Sequence, residues 1–532
     1  MENKKAPAID RITGIVLFIG LMTAAIIGMT FHEPWFDEIQ AYLIARDASL
    51  HDLFFSIPHY EGHPPLWHLL LLPAKLGLSC RTTLWIAQIV TYAGMLAMLE
   101  LFSPFGWKMK LFLSSSYFLV YQYGVISRPY AMLMLAALLV AEIYPDRDKK
   151  TVRYLLAMLF MCLCHSYGIA IAGGLAATDL IRRFIQEKSI PGLIKSTGKK
   201  LLIAYGALLA AAMLIIIEIS PQGNAYGMND SHIIYFLVSL FLCWSMLPSE
   251  TFLTSFINDN IKLQNAELSH YELLISYIFS VIVWYVLIRI CKKRKILFEF
   301  ITIYAFLSVL MALYSMPHHF GVFMIFTVMF LWIAQKKEPL SVSELTAPFE
   351  KSDNFRKIMK YVVRLITAIA VTINLYWNIH CFSTDYKEMY DVGSRTAEWI
   401  KENDLEDKKI LAGWNMYTTK MLTYGSVSTN AYLDHNLFMN ADRDLSYCTH
   451  VVTTDDEYDE DIKRLKSMGS PEVILTSSIS IEDEVEALDL KDKYVLCYRK
   501  ANVRTFKDTS VNVYTVIYVR KDLAGNVKKD AE

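Results

Sequence analysis

The chain lacks an excess of charge of either sign. Its 532 residues carry 52 Lys and Arg against 53 Asp and Glu, a net charge of −1. A nucleic-acid partner would need a basic domain or stripe, so that class is excluded. Paired cysteines are missing too: of the eight, Cys162 and Cys164 lie inside an apolar run, and Cys381, Cys448 and Cys497 are scattered through a polar region. That spacing gives zinc no support. The last three leave room for one disulfide at most, with ordinary buried thiols as the alternative. No internal repeat stands out, which counts against a transporter built from repeats.

What is abundant is apolar surface. Hydrophobic residues make up 54% of the chain and aromatics 13%, and the mean hydropathy is +0.30. A soluble enzyme of this length is less apolar, so the chain reads as a membrane protein. The first part, residues 1–380, alternates long apolar runs with short basic clusters, whereas 381–532 is polar and rich in Asp, Glu and Lys.

The first run, 12–31, matches the ~20 residues that cross ~30 Å of hydrocarbon as a helix. The bulky FHEPWFDE that follows offers no small-residue cleavage site, so the helix is expected to stay attached. Lys4, Lys5 and Arg11 precede it and hold the N-terminus in the cytoplasm by the positive-inside rule. Lys108 and Lys110, Arg147 to Arg153, Arg182 to Lys200, Lys292 to Lys295 and Lys336 to Lys357 serve as further cytoplasmic anchors. Between them fall spans near 83–103, 110–126, 129–145, 154–167, 168–182, 200–219, 271–291, 296–314, 317–334 and 359–379. With the first, the expectation is about eleven transmembrane helices.

Residues 64–80, broken by Pro64, Pro65 and Pro73, are expected to lie along the membrane surface, and 233–247 likewise, after a polar loop over 220–232. The patterns TAEWIKEN, KILAGW, PEVILTSS, KYVLCYRK and VNVYTVIYVRK predict one helix and several strands after the last span. The fold class is therefore an α-helical polytopic membrane protein with a small C-terminal α/β extracytoplasmic domain, free of any glycine-rich phosphate loop.

This topology places every unusual polar group on one side. Asp37 and Glu38 follow the first span; Tyr60, His63, Pro64 and Pro65 share the outer loop 32–82; Ser127, Arg128, Pro129 and Tyr130 open the fourth span. His165, Ser166 and Tyr167 occupy one outer turn, and Pro317, His318 and His319 another. Ionisable groups at the mouth of a bundle mark a substrate path or a reaction site. Each also has a plainer reading. Asp37 and Glu38 suit a helix N-terminus, His63-Pro64-Pro65 suits the start of a helix, Arg128 suits lipid headgroups, and a lone histidine is often structural. A divalent metal on these histidines lacks a supporting ligand motif.

The segments WFDEIQAYLIA, YEGHPPLWHLLL, SRPYAMLML, CHSYG and MPHHF together resemble the C-type glycosyltransferase superfamily, specifically bacterial relatives of the protein O-mannosyltransferases and aminoarabinose transferases (family 39 and 83-like). The resemblance covers the membrane part, 1–380. It implies transfer of a sugar from a polyprenyl-phosphate donor to a glycan, lipid or protein acceptor on the outer face, with 32–82 as the catalytic loop and Asp37 as the catalytic acidic residue. Two departures concern sugar and acceptor: no MIR-type insertion is present, and the usual Arg-Tyr type element reads His318-His319-Phe320.

The residues support this chemistry on their own terms. A hydroxyl nucleophile needs a base, for which Asp37 is the candidate, with Glu38 orienting the loop or a donor hydroxyl. A departing phosphate needs donors. Arg128 offers a planar fork, and His63, Tyr130, His165, His318 and His319 offer hydrogen bonds. Two other expectations stay open: a transporter or flippase of lipid-linked sugars, and a non-catalytic membrane protein whose 381–532 domain binds envelope material.

Overall fold

The computed structural model describes residues 7–220, 233–253, 270–315, 317–340 and 353–412, then 428–433, 446–447, 469–476, 489–490, 492–506 and 509–530, with isolated positions between 459 and 467. Most of the loop expected over 220–232, and Cys448, lie outside the described residues.

Helix α1 (Ala8–Phe31) contains 24 residues, about 36 Å at 1.5 Å per residue, enough to cross a bilayer. It is apolar nearly all round, and Ile12, Val16, Ile19 and Ile27 are exposed. An exposed apolar belt of this kind is lipid-facing surface. After α1 come α2 (Phe36–Asp47), α3 (Leu50–Phe55), α4 (Ile57–Glu61) and α5 (Leu66–Leu70), then α6 (Cys80–Leu96), α7 (Trp107–Ser114), α8 (Tyr130–Ile143), α9 (Thr151–Cys164) and α10 (Ser166–Glu187). The bundle continues through α11 (Ile190–Thr197), α12 (Lys199–Ile219), α13 (Ile233–Ser245), α14 (Leu247–Phe252), α15 (His270–Lys293), α16 (Leu297–Leu313), α17 (Gly321–Lys337) and α18 (Asp353–Lys387).

Among the described residues, five helical stretches are long and apolar enough to cross a membrane: Ala8–Phe31, Cys80–Phe102, Lys199–Ile219, Leu274–Lys293 and Tyr361–Lys387. The other expected spans are shorter helices, apart from α10, which has 22 residues but is less apolar, so length and apolarity together do not by themselves yield eleven. Residues 64–80 hold only α5 and a 3-10 turn, Leu72–Leu76. The span expected over 110–126 is not one helix. It breaks after Ser114 and resumes as a π-helical turn, Phe118–Gln122. At the break one hydroxyl competes for a backbone carbonyl, Ser115 Oγ donating to Phe112 O at 2.7 Å, while the flanking Ser114 and Ser116 hydroxyls bond to Glu100 and Met324.

Helix α17 sits at the centre, with every residue from Gly321 to Ala334 buried. It packs against α8, whose first five residues, Tyr130 to Met134, are also buried. The antiparallel run of helices gives the bundle two ends. Lys110, Arg147, Arg183, Glu299 and Lys336 gather at one, whereas the turns carrying His32, Arg128, His165 and His318 gather at the other.

After α18, Asp391 Oδ1 accepts the Gly393 N–H at 2.8 Å and starts α19 (Gly393–Glu402). Strands β1 (Ile410–Ala412), β2 (Val473–Thr476), β3 (Tyr494–Phe506) and β4 (Thr509–Arg520) form one sheet in the order β1-β2-β4-β3. β1 and β2 are parallel and the other pairs antiparallel, with Val473 opposite Val519 and a bulge between Leu496 and Tyr498. Trp399 and Ile400 of α19 are buried, and Trp399 packs 5.2 Å from Tyr498. This is the expected helical membrane bundle followed by a small sheet. Cys381 and Cys497 are buried.

Candidate active site

Helix α2 begins at the acidic pair, and its two carboxylates face different surroundings. Glu38 is 1% exposed. Its Oε2 accepts the Trp35 N–H at 3.1 Å and meets His32 Nε2 at 2.9 Å; its Oε1 accepts the Ser127 N–H at 2.7 Å. A carboxylate that reaches back three residues to a free N–H at a helix start is a capping interaction. The plainer reading of the pair thus describes Glu38.

Asp37 instead turns toward the cationic side. Its side chain is 19% exposed and its Oδ2 lies 3.8 Å from Arg128 Nη2, while Arg128 Nη1 donates to the Asp37 backbone oxygen at 2.8 Å. The backbone bond fixes Arg128, and the carboxylate contact stays loose. Burial works most strongly against the guanidinium charge, but Asp37, Tyr130, Glu61 and Tyr314 together outweigh it and hold Arg128 above its ordinary range. Its Nε is buried without a partner.

The imidazoles form a cluster beside this pair. His63 lies 4.5 Å from His165 between ring centroids, His165 lies 6.1 Å from His319, and His319 lies 4.2 Å from His318. Tyr130 touches three of them, at 5.5 Å from His165, 6.2 Å from His318 and 6.0 Å from His319, and stacks on Tyr123 at 4.9 Å. Residues expected to converge from separate turns therefore do converge.

His165 occupies the N-cap of α10 in extended backbone, where its Nδ1 accepts the Tyr167 N–H at 3.3 Å. That bond puts the ring proton on Nε2, which is buried and has no partner. His63 Nδ1, His68 Nε2 and the Tyr130 hydroxyl are likewise buried without partners. Most buried polar atoms in folded proteins are satisfied, so five such atoms in one cluster mark a place built to meet something else.

Burial keeps these rings neutral. It pushes His165 down to about 3, His68 to about 3 and His318 to about 4, with Arg128 adding to the effect; Asp37 opposes it at His318. His63 and His319 are also held well below the ordinary histidine range, first by burial. Neutral imidazoles leave Arg128 as the fixed positive charge of the cluster, with N–H and O–H donors around it.

Several contributors carry no mark in the sequence reading. Glu61 accepts from Gln40 Nε2 at 3.2 Å, and burial, with Asp37 adding to it, raises its carboxyl to about 7 despite Arg128 and Gln40. Glu61 and His68 lie inside YEGHPPLWHLLL, so the signal was present within that motif. Asp385, which meets His32 and Tyr121, has no local signal at all. Among the described residues, no three His, Cys, Asp or Glu side chains gather as a metal site.

No family model matches the chain, and no curated protein matches it. One solved structure is similar: ArnT from Cupriavidus metallidurans bound to undecaprenyl phosphate. The two share 13% identity, with 96% of this chain and 99% of that chain covered and a TM-score of 0.46. A likeness that loose transfers no residue's role, so the functional reading stands on the site.

Proposed function

We propose that this chain is a glycosyltransferase that moves a sugar from a polyprenyl-phosphate donor to an acceptor hydroxyl at the outer face of the membrane. The observation that carries this reading is the loose Asp37–Arg128 pair, 3.8 Å apart, set among buried donors that lack partners. Asp37 is the general base that takes the acceptor proton, a role worth about 10²- to 10⁴-fold. Arg128 meets the phosphate oxygens as the bond to the sugar breaks, and a single displacement inverts the anomeric carbon. His165 Nε2–H and the Tyr130 hydroxyl donate to the charge that develops on the leaving phosphate. Neutral rings suit that task, because a neutral imidazole is still a donor through one nitrogen.

Glu38 orients the loop and contributes no proton transfer, since three protein donors already meet its oxygens. The lipid tail lies between helices and enters sideways from the bilayer. In this reading the N-terminus is cytoplasmic and 381–532 is extracytoplasmic. Transport across the bundle has less support, because α17, which starts directly after His318 and His319, is buried and dominated by apolar side chains from Gly321 to Ala334.

Lipid and glycan analysis of cells lacking the protein tests the proposal. The expected result is the loss of one sugar decoration, restored by the wild-type chain and not by Asp37→Asn at equal protein level. Full restoration by Asp37→Asn removes the base role, and an unchanged sugar profile removes the transferase reading.

A further inference from the structure

His32 ends α1, and both of its ring nitrogens face carboxylates. Nε2 lies 2.9 Å from Glu38 Oε2, and Nδ1 lies 3.2 Å from Asp385 Oδ2, with all three side chains buried. An ionised carboxylate only accepts hydrogen bonds, so two such contacts call for a proton on each nitrogen. The ring is then an imidazolium between two anions, an arrangement opposite to the neutral histidines a few residues away in space.

The charge balance agrees. Burial pushes the His32 ring toward neutrality, but Glu38 and Asp385 outweigh it and raise the ring to about 10. The other titratable groups facing the bridge are two phenols and a thiol: Tyr121 donates to Asp385 Oδ2 at 2.7 Å, Tyr390 lies edge-on to the ring at 4.7 Å, and the buried Cys80 at the start of α6 interacts with Glu38. The neighbouring Glu33 is turned away, paired with Arg81 at 2.6 Å.

Glu38 gives this bridge its consequence. One oxygen holds the Trp35 N–H, two residues before Asp37, and the other holds the Ser127 N–H, one residue before Arg128. A single carboxylate therefore sets both backbone segments from which the acidic and cationic halves of the site project. Its own position is fixed by His32, which is fixed in turn by Asp385 near the end of α18. Groups one step removed from the reacting atoms orient those that touch substrate in this way.

We propose that His32 is a positioning residue: its imidazolium ties Glu38 to Asp385 and so holds Asp37 and Arg128 at the spacing a phosphate requires. The phosphate in this statement rests on the transferase reading; the bridge does not. Because Asp385 belongs to the helix that leads into 381–532, the same bridge couples the last long helix to the site.

The test uses the full-length protein in proteoliposomes with undecaprenyl phosphate as the probe. Binding is followed from pH 7.5 to 10, above the second ionisation of a phosphate monoester near pH 6. His32→Gln cannot carry the charge and is expected to weaken binding about tenfold throughout. Asp385→Asn leaves Glu38 as the only counter-charge, so the ring loses its proton at a lower pH. Its affinity should match wild type at pH 7.5 and fall about tenfold by pH 9.5, while wild type stays flat until the pH nears 10.

A purely structural contact would shift the Asp385→Asn curve equally at every pH, and that parallel shift overturns the proposal, as does unchanged binding in His32→Gln. Failure of the wild-type protein to bind the probe would overturn the transferase reading instead. The bridge is then read by ¹⁵N-histidine NMR at pH 8.5. A doubly protonated ring that disappears in His32→Gln supports it, and the absence of such a ring from wild type overturns it.

Discussion

The two ends of the helix bundle treat their charges in opposite ways. At the basic end, Asp179 of α10 accepts from Arg147 at 2.5 Å, from Arg183 at 3.0 Å and from Tyr205 at 2.9 Å, and Arg183 also pairs with Asp148 at 2.7 Å. Arg182 meets Glu299 at 2.8 Å, and Lys336 meets Glu142 at 2.5 Å. At the other end, Asp37 has Arg128 at 3.8 Å, and His165 Nε2 and the Tyr130 hydroxyl are buried without a protein partner. Both ends carry charge at a membrane surface. The basic end also holds unpartnered buried atoms, Arg147 Nε and Glu100 Oε2 among them, but Asp179, Glu299 and Glu142 sit in close ion pairs. At the other end a loosely held carboxylate faces a cluster of neutral donors, the arrangement a reaction site needs.

Breaking each end separately should therefore give different losses. Asp37→Asn is expected to have the largest effect, a fall of about 10²- to 10⁴-fold in sugar transfer with a smaller loss of thermal stability than Asp179→Asn, because its contact with Arg128 is loose, measured by turnover and Tm on the same sample. Arg128→Ala removes a charge-assisted partner worth about 1.5–3 kcal/mol. That is roughly 10- to 100-fold in donor affinity, and acceptor KM should stay near wild type. Equal loss toward both substrates would count against the phosphate assignment.

The mirror experiment belongs to the basic end. Asp179→Asn leaves Arg147 without this counter-charge and Arg183 with Asp148 alone, and should cost roughly 2–3 kcal/mol of stability, less than for a fully buried pair because the arginines are partly exposed. Transfer per folded molecule should not change. A variant as inactive as Asp37→Asn would erase the distinction between the ends.

The titration of stability supplies a smaller contrast. His68, His165 and His318 stay neutral in the fold down to about 3, 3 and 4, whereas unfolded histidines take up protons near 6.5. The unfolded chain therefore binds more protons between those values, and stability falls as pH drops below 6.5. Glu61 works the other way. Its carboxyl is raised to about 7, so the fold binds the extra proton above 4.5, and this contribution is lost as pH rises through 7. His165→Gln should flatten the acid side of the Tm profile, and Glu61→Gln the side between 4.5 and 7.

The convergence of the site was legible from charge alone, because basic clusters give each turn a side and the polar turns then coincide. The motifs FDE, HPP, SRPY, CHSY and PHH marked His63, Arg128, Tyr130, His165 and His318 correctly as neighbours. What could not be read was the division of labour within Asp37-Glu38. It depends on Ser127 N–H, 89 residues away, and on the His32 to Asp385 contact, 353 residues apart. No local pattern carries a contact of that range. The break at Ser114 to Ser116 was hidden for the opposite reason: hydrophobicity runs unbroken on both sides, while the Ser115 hydroxyl takes a backbone carbonyl and Ser114 and Ser116 bond to Glu100 and Met324.

The most direct measurement of the account is transfer from a labelled polyprenyl-phosphate sugar in membranes containing wild type, Asp37→Asn or Asp179→Asn at matched folded protein. The account predicts transfer by wild type and Asp179→Asn and a loss of at least about 10²-fold in Asp37→Asn. Equal transfer by Asp37→Asn and wild type would contradict it.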